Sequence, residues 1–329
     1  MDSVRVGMIG CGGFQRYRLS NLLKVPEARV VALADPSGEQ IDKTQEAHPA
    51  TKEAEVFSDY RAMLDTVGLD AVMIATPHTQ HVDQILASFD RALHVCCEKP
   101  LVTSVADANR VIAARDKVKK VGMVSYQRHF LAEYRYIRDK IRAGEAGPFQ
   151  FVSSMLGQNW YVLTRGSWRQ EIALSGGGQL NDSGSHVLDI ILWMAGSGPQ
   201  TVCAFTDNFE SEVDINSSLT VRFRNGALGS FGVIGNGMDW HDDTSIFCEN
   251  LAFYMRDGKL TVVDRKENKF IAERLTGGSN PDQHFIDCIL GRTECEAPFE
   301  CGLEVIRLTE AAWESASKGG MPVEVKVEA

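Results

Sequence analysis

The chain has 329 residues, 44 % of them apolar and 24 % charged, which is enough for sizeable cores and too long for one ordinary domain, so two are expected. A formal net charge of −10 excludes a broad positive footprint, and with it a nucleic-acid or anionic-membrane partner, while leaving room for a local phosphate pocket. The eight cysteines show no CxxC and no zinc-ribbon spacing, and Cys96 and Cys97 are adjacent, so they read as reduced thiols of a cytoplasmic protein. The N-terminus enters an apolar strand without a basic n-region, against a signal peptide. The longest apolar runs, such as Ile190 to Ala195, fall far short of a membrane span.

In chain order, Val4 to Ile9 reads as a strand buried on both faces, and it runs into Gly10-Cys11-Gly12-Gly13-Phe14-Gln15. Gly10 would permit a tight turn and Gly12 a close approach of backbone to a pyrophosphate seated on the next helix. The third glycine position holds Gln15. Arg29 to Ala34 is a second strand, and it ends in Asp35, where an acid grips a ribose diol. Asp35 would repel a 2′-phosphate, so NAD is favoured, with Arg16 and Arg18 keeping NADP as the alternative. A short helix over Asp59 to Asp65 follows, then a strand over Ala71 to Ala75 ending at Thr76-Pro77-His78. Val82, Ile85, Leu86 and Phe89 keep a helical period. Leu93 to Cys96 is a strand ending in Glu98-Lys99-Pro100; Ser104 with Asp107 has the spacing of a capping box, and Val121 to Val124 is one more strand. This alternation implies a doubly wound parallel sheet, an α/β Rossmann domain over residues 1–124, with ligands at the carboxyl ends of the strands. Gly10 to Gln15, Asp35, Thr76 to His78 and Lys99 all fall at that edge. A lone lysine there is usually solvated, but a cation could also polarise a substrate hydroxyl.

Residues 125–329 read as an α+β domain for substrate binding and oligomerisation. A helix marked by Leu131, Tyr134, Ile137 and Ile141 precedes a strand from Phe149 to Met155 and a loop with Trp160, Tyr161, Trp168 and Arg169. From Thr201 to Val263 six strands alternate with turn signals such as Asn225-Gly226 and Asp257-Gly258, which predicts a large, mostly antiparallel open sheet. Helices over Pro281 to Leu290 and Leu303 to Ser317 and a closing strand over Val323 to Val327 complete it. An uncovered sheet face predicts a homo-oligomer, a dimer or tetramer. The aromatic and hydrogen-bonding groups of Trp160, Trp168 and Arg169 suit a sugar or polyol ring, or else anchor their loop. Asp239-Trp240-His241-Asp242-Asp243 reads as a solvated polar turn rather than a metal site, because adjacent residues rarely converge on one ion.

Gly176 to Asp189 (GGGQLNDSGSHVLD) places Asp182 and His186 four residues apart. In the first turn of a helix they share a face, as a carboxylate and imidazole fit for proton transfer; Asp182 as a plain N-cap is the alternative. The glycines would let the loop lie close to a nicotinamide.

With these pieces in order, the chain resembles the glucose–fructose oxidoreductase / inositol dehydrogenase family (Gfo/Idh/MocA) over essentially its whole length. The motifs are Gly10-Cys11-Gly12-Gly13, Ala75-Thr76-Pro77-His78 with His81, Glu98-Lys99-Pro100, and Gly177-Gly178 followed by Asp182-x-Gly184-x-His186-x-x-Asp189. Gln15, Arg18 and His78 depart from the usual pattern. The resemblance implies NAD(P)-dependent hydride transfer between a sugar, polyol or related hydroxyl and the nicotinamide. It maps the catalytic groups onto Lys99, Asp182 and His186. The cofactor set is then Gly10, Gly12, Gly13, Phe14, Asp35, Thr76, Pro77, His78, His81, Glu98, Lys99 and Gln127. The substrate set is Lys99, Arg128, Trp160, Trp168, Arg169, Asp182 and His186. Two other readings are an enzyme that retains NAD and oxidises a sugar transiently for elimination or hydrolysis, and a non-catalytic NAD-sensing regulator.

Overall fold

The computed structural model describes residues 3–272 and 275–327. They form two compact units, one of Met1–Val102, Ala106–Gln127 and Ser279–Gly302, the other of Thr103–Val105, Arg128–Gly278 and Leu303–Ala329. The first unit takes back Ser279–Gly302, which a single boundary after residue 124 would assign to the second.

The first unit carries β1 (Val4–Ile9), α1 (Gly13–Leu22), β2 (Ala28–Ala34), α2 (Gly38–Ala47), β3 (Glu55–Phe57), α3 (Tyr60–Thr66), β4 (Ala71–Ile74), α4 (His81–Phe89), β5 (His94–Cys97), α5 (Val105–Val118) and β6 (Gly122–Val124). The strands are parallel in the order β3-β2-β1-β4-β5-β6, the doubly wound arrangement expected from the alternation. Val4, Val6, Met8, Val72, Val95 and Cys97 are fully buried, as strands covered on both faces require. The strand order reverses beside β1, so the glycine loop after Ile9 lies at the switch point, where such sheets bind ligands. Asp59 caps α3 by accepting the Arg61 amide at 2.9 Å.

In the second unit come α6 (Ala132–Arg142), β7 (Phe149–Gly157), α7 (Trp160–Leu163), α8 (Ile172–Ser175), α9 (Gly184–Ala195), β8 (Pro199–Asp207), β9 (Asn216–Phe223), β10 (Leu228–Ile234), β11 (His241–Cys248), β12 (Leu251–Arg256), β13 (Lys259–Asp264) and β14 (Lys269–Ile271). The remaining elements are α10 (Pro281–Ile289), α11 (Phe299–Ser317) and β15 (Val323–Glu324). The nine strands run β14-β13-β12-β11-β7-β10-β9-β8-β15, antiparallel except for β7 with β10. β9 alternates buried Ser217, Leu219, Val221 and Phe223 with exposed Ser218, Thr220 and Arg222, the period of a sheet covered on one side. On the uncovered side Phe151, Met155, Phe205, Leu228 and Phe247 stay exposed. The β12–β13 hairpin turns on Asp257 and Gly258 at φ 49° and 73°, the two left-handed residues of a type I′ turn. Among the described residues, no helix is long and apolar enough to cross a membrane.

Candidate active site

The glycine loop has the form a dinucleotide needs. Gly10 has φ 87°, and a Cβ there would stand 2.5 Å from the Ala75 carbonyl oxygen, so only glycine closes the turn. Gly12 is the N-cap of α1, and a Cβ on it would meet nothing within 4 Å. Open backbone at a helix N-terminus is a seat for a pyrophosphate. Gly13 opens the helix, and Phe14 beside it is exposed. Gln15 fills the third glycine position from inside: it is buried, and its Nε2 donates to the Met73 carbonyl of β4 at 3.1 Å. A hydrogen bond between helix and sheet thus replaces close glycine packing.

The Asp35 carboxylate is aimed by the backbone, accepting the Cys11 amide at 2.7 Å and the Ser37 amide at 2.9 Å. It therefore stands beside the glycine loop, as a ribose-diol acceptor must. Arg16 sends Nη1 to the Cys11 carbonyl at 2.7 Å and to Gln40 at 2.9 Å. Arg18 is no candidate for a 2′-phosphate, because it is 3 % exposed and bound to Glu98, Asp282 and Ser125. Burial works against its charge, but the Asp282 and Glu98 carboxylates outweigh it and hold the guanidinium firmly protonated. These residues fit NAD: the glycines would seat its pyrophosphate and Asp35 would take its ribose diol.

Beyond β4, Thr76 Oγ1 donates to Gln84 at 2.6 Å, Pro77 follows, and His78 is buried. The resemblance puts His81 in the cofactor set, but here its ring faces the backbone: Nε2 meets the Thr76 carbonyl at 3.0 Å and Nδ1 the Pro100 carbonyl at 2.9 Å. It ties the loop after β4 to the turn after β5. Burial lowers its pKa, against the pull of those carbonyls. Glu98, likewise placed with the cofactor, is buried and commits Oε1 to Arg18, while Oε2 accepts the Lys99 amide at 3.3 Å. Lys99 itself is half-buried at the end of β5. Gln127 is exposed, at the start of a 3₁₀ turn over Gln127–Phe130.

In the second unit the helix starts later than expected. α9 begins at Gly184 with Ser183 as N-cap, so Asp182 precedes the helix and is not its cap, while His186 is its third residue. The Asp182 carboxylate is 4 % exposed, and its Oδ2 accepts from Trp160 Nε1 at 2.9 Å and from Arg169 Nε at 3.2 Å. Trp160 is therefore not a sugar platform. Its ring is buried with Val213 and Ile215, and its N–H holds the carboxylate. Trp168 is only half-buried, and the Arg169 guanidinium lies 4.5 Å over its ring. Arg128 is spent as well: Nη2 pairs with Asp242 Oδ2 at 2.6 Å. That pair also shows that residues 239–243 are not a polar turn throughout, because β11 starts at His241 and Asp243 pairs with Arg256 at 3.0 Å.

The triple glycine serves packing within its own unit. A Cβ on Gly177 would lie 2.5 Å from the Trp313 ring, and one on Gly178 would lie 1.9 Å from the Asp214 carbonyl oxygen. Asp214, missed from the sequence, organises this loop: its carboxylate accepts the Gly178 and Leu180 amides at 3.1 and 2.8 Å and Trp313 Nε1 at 2.9 Å. Burial raises its pKa, and those donors oppose the rise. Asp189, the last residue of the DxGxHxxD run, pairs with His129 at 2.8 Å, both being buried. In the first unit His284, Cys288 and Cys295 bring ligand-type atoms within 4.8 Å of one another. His284 Nε2 accepts the Glu296 amide at 3.0 Å, which puts the ring proton on Nδ1 and leaves no nitrogen lone pair for a metal.

Residues 4–126 match the model of an oxidoreductase family with an NAD-binding Rossmann fold, and residues 134–250 match the Gfo/Idh/MocA C-terminal domain. The chain is 24 % identical over 318 residues to the rhizopine catabolism protein MocA of Rhizobium meliloti, covering 91 % of this chain and 95 % of that one. It is 26 % identical over 349 residues to scyllo-inositol 2-dehydrogenase (NAD(+)) of Bacillus subtilis, covering 98 % and 97 %. Its fold matches that of levoglucosan dehydrogenase in complex with NADH at a TM-score of 0.88 and 20 % identity, over 99 % and 100 % of the two chains. With a doubly wound sheet, a glycine turn and ribose acid that fit NAD, and both family domains matched in order, the chain belongs to the Gfo/Idh/MocA family of NAD-binding oxidoreductases.

Proposed function

We propose that the protein oxidises a secondary hydroxyl of a sugar, polyol or sugar derivative, with Lys99, Asp182 and His186 as its working groups. Bound NAD supplies the hydride acceptor. His186 takes the hydroxyl proton through its imidazole as the hydride leaves the same carbon. Asp182 orients that imidazole and stabilises its cationic form, and Lys99 hydrogen-bonds the reacting oxygen and lowers the hydroxyl's pKa. The observation that carries this reading is the Asp182 carboxylate. It is nearly buried, yet clamped by the Trp160 N–H and by Arg169 in the turn that leads into the His186 helix. A carboxylate held in one orientation is what a proton-accepting imidazole needs behind it. The polyol and sugar names among the relatives support the substrate class.

A screen of NAD- and NADP-linked oxidation over inositols, aldoses and sugar acids tests the proposal, and NAD-linked turnover is the expected result. Lys99→Ala is expected to lower kcat while NAD affinity stays; a defect confined to NAD binding would take Lys99 out of the chemistry. We also place the protein in the cytoplasm, where its eight free cysteines stay reduced, and assign it a homodimer or homotetramer built on the uncovered sheet face. Light scattering at micromolar concentration should give two or four chains per particle, and a monomer would refute that assignment.

A further inference from the structure

Arg18 joins three segments that are far apart in the chain. It projects from α1, and its Nε donates to Asp282 Oδ1 at 2.7 Å in the first turn of α10. Its Nη1 reaches Glu98 Oε1 and Ser125 Oγ, and its Nη2 lies 3.5 Å from Cys96 Sγ. Arg18, Glu98 and Asp282 are 3, 6 and 0 % exposed. Two buried carboxylates face one guanidinium, so the group carries a surplus negative charge. Asp282 Oδ2 has no hydrogen-bond partner among the described residues, so that surplus is not spread over further donors. Such a grouping is costly unless fully paired, and it is a poor device for stability alone. Its exit is at Glu98, whose second oxygen accepts the amide of Lys99 at 3.3 Å. The chain Asp282–Arg18–Glu98 thus ends on the backbone of the lysine.

We propose that Asp282 and Arg18 are positioning residues for Lys99: they hold Glu98 in the one orientation that fixes the turn from which the lysine projects. The inference rests on the catalytic role proposed for Lys99. Neither Asp282 nor Arg18 touches substrate in this scheme. Their effect passes through Glu98, and it ties the working lysine to a segment almost 200 residues further along the chain.

The test uses the full chain with NAD and four probe hydroxyls: myo-inositol, scyllo-inositol, D-glucose and D-galacturonate. Lys99→Met, Asp282→Asn and the double variant are compared in kcat, KM and NAD affinity. Asp282→Asn keeps the shape and leaves Arg18 and Glu98 as a balanced pair. Expected for Asp282→Asn is a fall in kcat of roughly ten- to hundredfold at unchanged NAD affinity, with no further loss in the Lys99→Met background. Faster hydrogen exchange of the Lys99 amide, read on the peptide over residues 97–102, is the expected substrate-free signature. Additive losses in the double variant, wild-type kcat in Asp282→Asn, or unchanged Lys99 exchange would overturn the proposal. Should Asp282→Asn not fold, Glu98→Gln carries the same comparison. Lys99→Met at wild-type kcat would instead remove the catalytic reading, and this inference with it, and that variant reports the outcome without touching Asp282 or Arg18.

Discussion

His186→Ala is expected to lower kcat by about 10²–10⁴-fold, the usual worth of a positioned base, while NAD affinity is unchanged. The separation should be clean, because the NAD-fitting residues Gly10, Gly12 and Asp35 belong to the first unit and His186 to the second. His186 lies in the first turn of α9, an apolar helix whose Val187, Leu188, Ile190 and Ile191 are fully buried or nearly so, so truncating its half-buried side chain leaves the anchor intact. Single-turnover kinetics in NAD excess is the informative measurement. A variant that keeps wild-type kcat on a true substrate would remove His186 from proton transfer.

The second large effect is on folding. Gly178→Ala is expected to destabilise the second unit by about 3 kcal/mol or more, the upper range of overpacking, because the three atoms nearest its Cβ are all main chain of Asp214. That Cβ would stand 1.9 Å from the Asp214 carbonyl oxygen and 2.6 Å from its nitrogen, and neither can swing away as a side chain would. The displaced loop would also lose the Gly178 and Leu180 amides from the Asp214 carboxylate. Urea unfolding reads this as a lower midpoint. Gly12→Ala is the control: its Cβ meets nothing and its φ is −68°, so the midpoint should hold while NAD binding weakens. A Gly178→Ala protein with the wild-type midpoint would mean that the Asp214 contact yields without cost.

The contrast between these glycines marks where the sequence could be read and where it could not. Gly10, Gly12 and Asp35 lie on a fixed local pattern of strand, turn, helix and strand, and their roles follow from spacing. The bounds of Val4–Ile9 and the alternation of β9 are equally local, because burial imposes a period on the chain itself. Gly178 looks like loop flexibility in sequence, and its partner Asp214 is 36 residues away, with no periodic signal joining them. Trp160 with Asp182, Arg128 with Asp242 and Arg18 with Asp282 are of the same kind. Each side chain looked available for a ligand because the partner that occupies it is distant in the chain. Such pairings are set by tertiary packing, which leaves no mark on composition or spacing. The late start of α9 has a different origin. Asp182 and Ser183 both suit a cap, and local preference could not choose between them.

The return of Ser279–Gly302 bears on how this protein could be recombined. An exchange that cut after Gln127 would transfer all six parallel strands and still leave the nucleotide unit incomplete. Arg18 would lose Asp282, Arg115 would lose Glu300, and the Val124 amide would lose the Ala297 carbonyl. These contacts lie inside the nucleotide unit, so their loss falls on its own stability, which for a domain is only about 5–15 kcal/mol. Grafting this unit onto a foreign substrate domain therefore takes three crossovers, after Gln127, Gly278 and Gly302, because the second unit resumes at Leu303 and closes the chain.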